Sequence, residues 1–171
     1  MNKFIPDKYY KTIFDINFDL LKKENIKNIF FDVDNTLLKY TEDIPNKQVL
    51  ELIKKIEKMG FNCHLFSNSN SKRINNIKEA FGVFAYTSCK KPLKKNYKKV
   101  LNQFKTEECI FVGDQLMTDV YGAKRMGFKV ILVDSIDKAE PFTTKVWRLL
   151  EKRVLKKLGK QQKFKRGNYY E

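Results

Sequence analysis

Histidine is almost missing from this chain. His64 is the only one in 171 residues, and it stands inside an apolar run where a packed ring is the expected role. A histidine phosphatase, which needs more than one imidazole, is excluded. Cysteine is scarce and odd in number: Cys63, Cys89 and Cys109. Cys63 and Cys109 fall in strand-like apolar runs, the placement of reduced, buried thiols in the cytosol. A thiol phosphatase needs an arginine six residues after its cysteine, and those positions hold Ser69, Lys95 and Gln115. No uncharged apolar run is long enough to span a bilayer. Met1 to Tyr10 include Pro6 and Asp7 and no apolar segment, so no secretory signal is expected. Internal repeats and low-complexity linkers are absent as well. Arginine is the remaining shortage, at 5 against 30 lysines.

What the chain does contain is apolar, aromatic and basic. A 42% hydrophobic fraction with 14 Phe supports a folded core, and 171 residues suit one domain. The net charge of +15 directs it toward anionic partners: phosphate esters, nucleic acid or an acidic membrane face. A lysine-rich composition can supply part of that charge, so its placement says more than its total.

Ile26 to Phe31 is a continuous apolar run, read as a buried strand. It ends in Asp32-Val33-Asp34-Asn35-Thr36. Side chains alternate along a strand. Where the backbone leaves its C-terminal end, however, Asp32 and Asp34 can converge on the crevice in which parallel α/β sheets bind ligands. Two acids so close repel unless a cation or proton lies between them. The arrangement suits one carboxylate as nucleophile and metal ligand and the other as proton shuttle. Taken alone, the run also matches a strand followed by an Asp/Asn turn.

Further strands are expected at Phe61–Phe66, Val83–Tyr86, Glu108–Val112 and Lys129–Val133. Helical spacing covers Asp7 to Phe14, Phe18 to Glu24, Pro45 to Gly60, Ser71 to Phe81, Pro92 to Phe104 and Thr118 to Met126. The alternation predicts an α/β fold of three layers, with a central five-stranded parallel sheet and helices on both faces. Three strands end in polar residues suited to phosphate chemistry: Asp32 and Asp34, then Ser67 and Asn68, then Asp114 with Asp119. A parallel sheet puts these ends at one edge.

In that order and spacing, the residues resemble the haloacid dehalogenase (HAD) superfamily of aspartyl phosphotransferases. Asp32-Val33-Asp34-Asn35-Thr36 is similar to its first motif, Ser67-Asn68 to the second, Lys91-Pro92 to the third, and Gly113 to Asp119 to the fourth. Phe4-Ile5-Pro6-Asp7, Ile13-Phe14-Asp15-Ile16 and Thr118 to Gly127 resemble the YqeG-type branch of subfamily IIIA, to which the mitochondrial phosphatidylglycerophosphate phosphatases belong.

The resemblance implies a Rossmann-like fold and a set of roles. Asp32 would be the nucleophile, forming an aspartyl-phosphate. Asp34 would be the general acid and then base. Mg²⁺ would be held by Asp32, the Asp34 carbonyl and Asp114, with Asp119 either a further ligand through water or an orienting group. Asn35, Thr36, Ser67 and Asn68 would lie around the phosphate, and Lys91 would neutralise the nucleophile and the transferred group. Lys90 is an adjacent rival to Lys91. Ser67-Asn68 also fits a simple turn, and Asp119 an acid near a helix N-terminus. The implied substrate is a lipid phosphate monoester.

Only Leu38 to Ile44 separates the Asp motif from the next helix, and one helix and one short strand fill the stretch from Asn70 to Lys90. Neither gap holds a cap domain, so residues 1–140 are expected to form a capless phosphatase domain open to bulky or tethered substrates. Residues 141–159 are expected to form a basic amphipathic helix, and 160–171 a loose polar tail. Pro141 to Glu171 carries 10 Lys/Arg against 2 Glu. Trp147, Leu150, Val154 and Leu158 recur at helical spacing, with Lys145, Arg148, Lys152, Arg153 and Lys156 among them. That pattern fits an interfacial helix on an anionic membrane and equally a last helix packed on the sheet. The expectation is a cytoplasmic, Mg²⁺-dependent phosphatase, peripheral on the inner membrane face, that acts on phosphatidylglycerophosphate. The alternative is a soluble phosphatase of nucleotides, nucleic-acid ends or another small ester.

Overall fold

The computed structural model describes residues 2–139 and 142–171, with side chains described outside 142–146. Six strands form one parallel sheet: β1 (Lys8–Tyr9), β2 (Asn28–Phe31), β3 (Asn62–Phe66), β4 (Phe84–Tyr86), β5 (Cys109–Gly113) and β6 (Lys129–Leu132), in the order β1-β6-β5-β2-β3-β4. The helices are α1 (Phe18–Lys23), α2 (Lys47–Lys58), α3 (Ser71–Phe81), α4 (Lys94–Leu101), α5 (Tyr121–Lys124) and α6 (Phe142–Lys160).

Strand alternation splits the apolar runs into two cores. Ile29 and Phe31 of β2, Ile110 and Val112 of β5 and Ile131 of β6 pack with Leu21, Ile53, Ile56, Ile74 and Ile77 from α1, α2 and α3. Phe30, Phe111, Val130 and Leu132 face the other way, onto Tyr97, Val100, Ala123 and Leu158 from α4, α5 and α6. Burial on both faces explains why these strands read as unbroken apolar runs.

The chain builds outward from β2 through β3 to β4, then crosses back to β5 and β6. The connections therefore change direction beside β2, which places the ligand crevice at the C-terminal ends of β2 and β5.

The sheet has one strand more than the five expected. Lys8–Tyr9 lies where helical spacing was read over Asp7 to Phe14, and the helical part contracts to a 3₁₀ turn at Ile13–Asp15 capped by Thr12. Partners distant in sequence decide the conformation. Asp7 N donates to Val130 O (2.9 Å), Tyr10 N to Leu132 O (3.1 Å) and Tyr9 N to Tyr170 O (2.7 Å).

That last bond also engages the tail read as loose. Tyr170 N returns a bond to Tyr9 O (2.9 Å), Phe164 is buried, and Arg166 donates to the Asp114 carbonyl (2.8 Å). Two aromatic anchors and one arginine tie residues 160–171 to the domain. In α6, Val154, Leu155 and Leu158 pack into the second core, and Glu151 is buried. The apolar stripe of this helix thus has a partner within the domain. Pro141 and the Lys145 side chain lie outside the described residues. No helix among the described residues is long and apolar enough to cross a membrane.

His64 packs as a core ring. It stacks on Phe30 at 4.7 Å and tilts against Phe104 at 5.3 Å, and burial pulls its imidazole down to about 4. The unfolded chain therefore takes up a proton near pH 6.5 that the folded chain refuses until about pH 4. Because the unfolded state then holds more protons, stability contributed by His64 falls as pH drops through that window. The ring is partly exposed, which keeps the loss to ~1–2 kcal/mol. Urea midpoints at pH 7.5 and 4.5 should differ less for His64→Phe than for the wild type, and equal differences would refute this account. The three cysteines are buried and free, with burial raising each thiol to about 12. Such thiols are inert at neutral pH.

Candidate active site

Three buried polar residues of the site each follow a strand directly. Asp32 follows β2, Ser67 follows β3 and Asp114 follows β5, and these three strands are neighbours in the sheet. Register aligns them, since Phe31 pairs with both Leu65 and Val112.

Asp119 arrives differently. Where a regular helix was expected from Thr118, Leu116–Val120 forms a single π turn, with Asp119 N and Val120 N both donating to Gln115 O (3.1 and 3.2 Å). Such widened turns recur at functional sites. This one carries Asp119 back over the end of β5, where its Oδ2 accepts from Gln115 N (3.1 Å).

Gly113 makes room for that return. An added Cβ would sit 2.6 Å from Asp119 Oδ2 and 2.6 Å from its Cβ, so Asp119 would have to move. Displacement of a positioned group by about 1 Å can lower a rate ~100-fold. Gly113→Ala should lower kcat/KM by ~10–100-fold while the far-ultraviolet circular dichroism stays native. Unchanged kinetics would show that the position of Asp119 does not matter.

Lys91 closes the cluster. Its Nζ donates to Asp32 Oδ1 and to Asp119 Oδ1, each at 2.6 Å, and its side chain is 3% exposed. Lys90 is exposed to solvent. Asn68 holds the lysine loop, accepting from Lys91 N (2.6 Å) and donating to Lys91 O (3.4 Å). The Asn68 side chain thus positions Lys91.

Asn35 is likewise occupied. It sits at φ 62°, accepts from Tyr40 N (3.1 Å) and donates to Ala139 O (2.8 Å), which shapes the loop. Thr36 is buried, with its hydroxyl 3.5 Å from Asp32 Oδ2. Ser67 is fully buried, and its Oγ accepts from Ser69 N (3.0 Å).

Asp34 stands apart from the other carboxylates. Its side chain accepts from Ser69 Oγ (2.6 Å) and pairs with Arg73. Arg73 also donates to Asp43 (2.8 Å) and to the carbonyls of Tyr40 (3.2 Å) and Glu42 (2.7 Å), stapling the loop after the Asp motif onto α3. Asp114 meets a second arginine: Arg148 Nη2 of α6 donates to its Oδ2 (2.6 Å). Arg166 and Arg148 both bond Glu151, so α6 and the tail form one wall of the site.

Sequence reading missed Arg73, Arg148 and Arg166. Their signal lay in rarity, because three of the 5 arginines in a lysine-rich chain serve the site. Planar, bidentate contacts are what lysine cannot supply.

Burial pushes the Asp32 carboxyl well above the ordinary range; Lys91 opposes this, while Asp119 and Asp114 add to it. Burial likewise raises Asp114 to about 6 against the pull of Arg148. Burial alone would lower Lys91, yet Asp119 and Asp32 beside it hold its ammonium well above the usual value.

Asp32, Asp114 and Asp119 each offer an oxygen, all within 4.8 Å of one another. Asp114 Oδ1 is buried and without a hydrogen-bond partner. A buried, unpartnered carboxylate oxygen facing two more acids suits a hard divalent cation, and Mg²⁺ takes such an oxygen shell. The residues present therefore fit it. Any share from Asp34 would come through its backbone carbonyl, since its carboxylate is engaged by Ser69 and Arg73.

Comparison with known proteins gives the family and the fold. A family model described as mitochondrial PGP phosphatase matches residues 1–137. The Bacillus subtilis (strain 168) protein named "Probable phosphatase YqeG" is 32% identical over 160 residues, covering 92% of this chain and 93% of that one. "Phosphatidylglycerophosphate phosphatase 1, chloroplastic/mitochondrial" of Arabidopsis thaliana is 28% identical over 167 residues, covering 90% of this chain. The match spans about half of the plant protein, 47% of its length. Among solved structures, one titled "a predicted HAD-like family hydrolase from Porphyromonas gingivalis" superposes with a TM-score of 0.52 at 17% identity, over 73% of this chain and 98% of that one. At that identity the likeness is one of fold, and the fold is HAD-like.

Proposed function

We propose, given that this chain belongs to the mitochondrial PGP phosphatase family, that it removes the terminal phosphate of phosphatidylglycerophosphate. The chain is a phosphatase of the HAD type. The observation that carries the chemistry is the convergence of Asp32, Lys91, Asp114 and Asp119 at one sheet edge.

Asp32 attacks phosphorus as the bond to the glycerol oxygen breaks, giving an aspartyl-phosphate. Asp34 donates a proton to the departing alkoxide, then accepts one from the water that hydrolyses the intermediate. Ser69 and Arg73 position the Asp34 side chain in the structure, and Arg73 must release it for Asp34 to carry the proton it donates. Lys91 keeps Asp32 aimed and offsets charge on the transferred group. Thr36 and Ser67 line the phosphoryl position, and Asn35 and Asn68 fix the loops that carry Asp34 and Lys91. Mg²⁺, held by Asp32, Asp114 and Asp119, supplies charge neutralisation on the phosphate when bound.

The lipid assignment draws on the family and on a site without a cap. Exposed Lys94, Lys95, Lys98 and Lys99 of α4 and Lys152, Arg153, Lys156 and Lys157 of α6 add attraction to an anionic membrane surface. The deciding measurement is Mg²⁺-dependent phosphate release from phosphatidylglycerophosphate in mixed micelles. Turnover of that lipid above a soluble aryl phosphate is the expected result. Efficient cleavage of soluble esters with none of the lipid would reject the assignment and leave the phosphatase chemistry standing.

A further inference from the structure

Beside the catalytic loop lies a groove of about 510 Å³ that the chemistry above does not use. Its floor is apolar and buried: Ile13, Leu37, Leu38 and Val49 are each 3% exposed or less. Its sides are apolar and open, with Phe14 50% and Ile136 47% exposed. Lys11 and Lys39 stand among its lining residues, together with Glu42 and Asp134.

Two contacts make the groove continuous with the site. Thr36 lines it and places its hydroxyl 3.5 Å from Asp32 Oδ2. Ile136 lines it and donates its backbone N–H to Asn35 O (3.0 Å) in the catalytic loop. Its walls are held in place by local bonds. The turn that carries Phe14 is closed by the Thr12–Asp15 capping box, and Asp134 N at the base of the opposite wall donates to Lys11 O (3.1 Å).

An apolar-floored groove that borders the Asp32 loop through Thr36 and has lysines at its rim matches one kind of molecule. It has an anionic head at Asp32 and an aliphatic chain running away from it. We propose that this groove is the chain subsite, and that it binds an acyl chain of the phosphomonoester substrate while Lys11 and Lys39 face the anionic linker between chain and head. The proposal rests on the reading of the protein as a lipid phosphatase. It adds what that reading lacks, a basis for preferring lipid over small phosphate esters. Each methylene moved from water into such a groove favours binding by up to about fourfold.

The test uses the full chain and n-alkyl phosphates from ethyl to decyl, kept below micelle-forming concentrations. For each protein the readout is the ratio of kcat/KM for decyl phosphate to that for ethyl phosphate. In the wild type this ratio should exceed ~100. In Phe14→Ser and Ile136→Ser it should fall at least ~10-fold, and Ile136→Leu should restore it.

A flat chain-length series in an active wild-type enzyme overturns the subsite. So does a steep series that neither serine variant flattens, since the chain would then lie elsewhere. Calorimetry with alkyl phosphonates reads the same chain-length dependence without turnover. An enzyme that failed on every ester would thus refute the phosphatase reading and still leave the groove open to test. Phosphonate affinity that did not rise with chain length would overturn the groove separately.

Discussion

Asp32→Asn should abolish phosphate release while leaving the metal-free protein at least as stable as the wild type. The loss of activity follows from removing the proposed nucleophile, and at least ~10⁴-fold in kcat is expected. The stability follows from burial. Asp32 is 6% exposed, and burial holds its carboxyl well above the ordinary range despite Lys91 at 2.6 Å. A carboxyl whose folded value lies above its unfolded value binds its proton more tightly in the native state. At pH 7.5, ionised Asp32 therefore weakens the fold, and a neutral amide of the same shape removes that strain. Lys91 keeps Asp119 as its second partner, also at 2.6 Å, so the ammonium is not stranded. The melting temperature in chelator should be no lower than that of the wild type, and phosphate release should sit at background. An inactive variant that melts several degrees lower would mean that Asp32 is structural, and a variant with residual turnover near wild type would assign the nucleophile elsewhere. The combination expected here, lost function with retained stability, is the usual mark of a strained catalytic group.

The sequence disclosed the acids and the lysine because each lies next to an element with a strong pattern of its own. Asp32, Ser67 and Asp114 follow apolar strands whose burial on both faces makes them unmistakable. Lys91 stands before the proline that opens the way to α4. Once the sheet is parallel, those positions fall together without any knowledge of side-chain contacts. What the sequence hid came from elements without periodicity or from partners far along the chain. The two residues of β1 are strand only because β6 and Tyr170 pair with them, and local spacing there argued for a helix. Asp119 reaches the cluster through a π turn, which has no sequence signature, and Gly113 leaves the space for it. Asn35 and Asn68 were legible as polar loop residues. The loop bonds that they make were not, because an Asn side chain satisfies nearby backbone groups as readily as a ligand. Arg148 was read as one of many charges on a basic helix face. Its contact with Asp114 depends on where α6 lands, and helical spacing sets only which residues share a side.

Lys91→Met should be the most damaging single change in both activity and metal-free stability, with the two separable by Mg²⁺. Lys91 Nζ bridges Asp32 and Asp119 from a side chain 3% exposed, so its loss leaves buried carboxylates facing one another. Removing one partner of a buried charge cluster destabilises by roughly 3–5 kcal/mol, and loss of the cation that offsets transition-state charge lowers kcat by ~10³–10⁵. The pH dependence of the defect has a definite sign. Burial, helped by its acidic neighbours, already raises Asp32 and brings Asp114 to about 6, and without Lys91 the opposition to the rise in Asp32 is gone. Between pH 7.5 and 5.5 the folded variant then binds protons that the unfolded chain does not, so its stability rises as pH falls. Melts in chelator should show the variant closest to wild type at pH 5.5 and furthest from it at pH 7.5. Adding Mg²⁺ at pH 7.5 should recover most of the melting temperature, because the cation replaces the lost charge among the same carboxylates and stabilises by mass action. Turnover should stay low, because charge at the acids does not restore a donor aimed at Asp32. If Mg²⁺ restored both, Lys91 would serve only to hold the acids together. If the variant melted like wild type in chelator at pH 7.5, the three carboxylates would not be carrying the mutual repulsion that their burial requires.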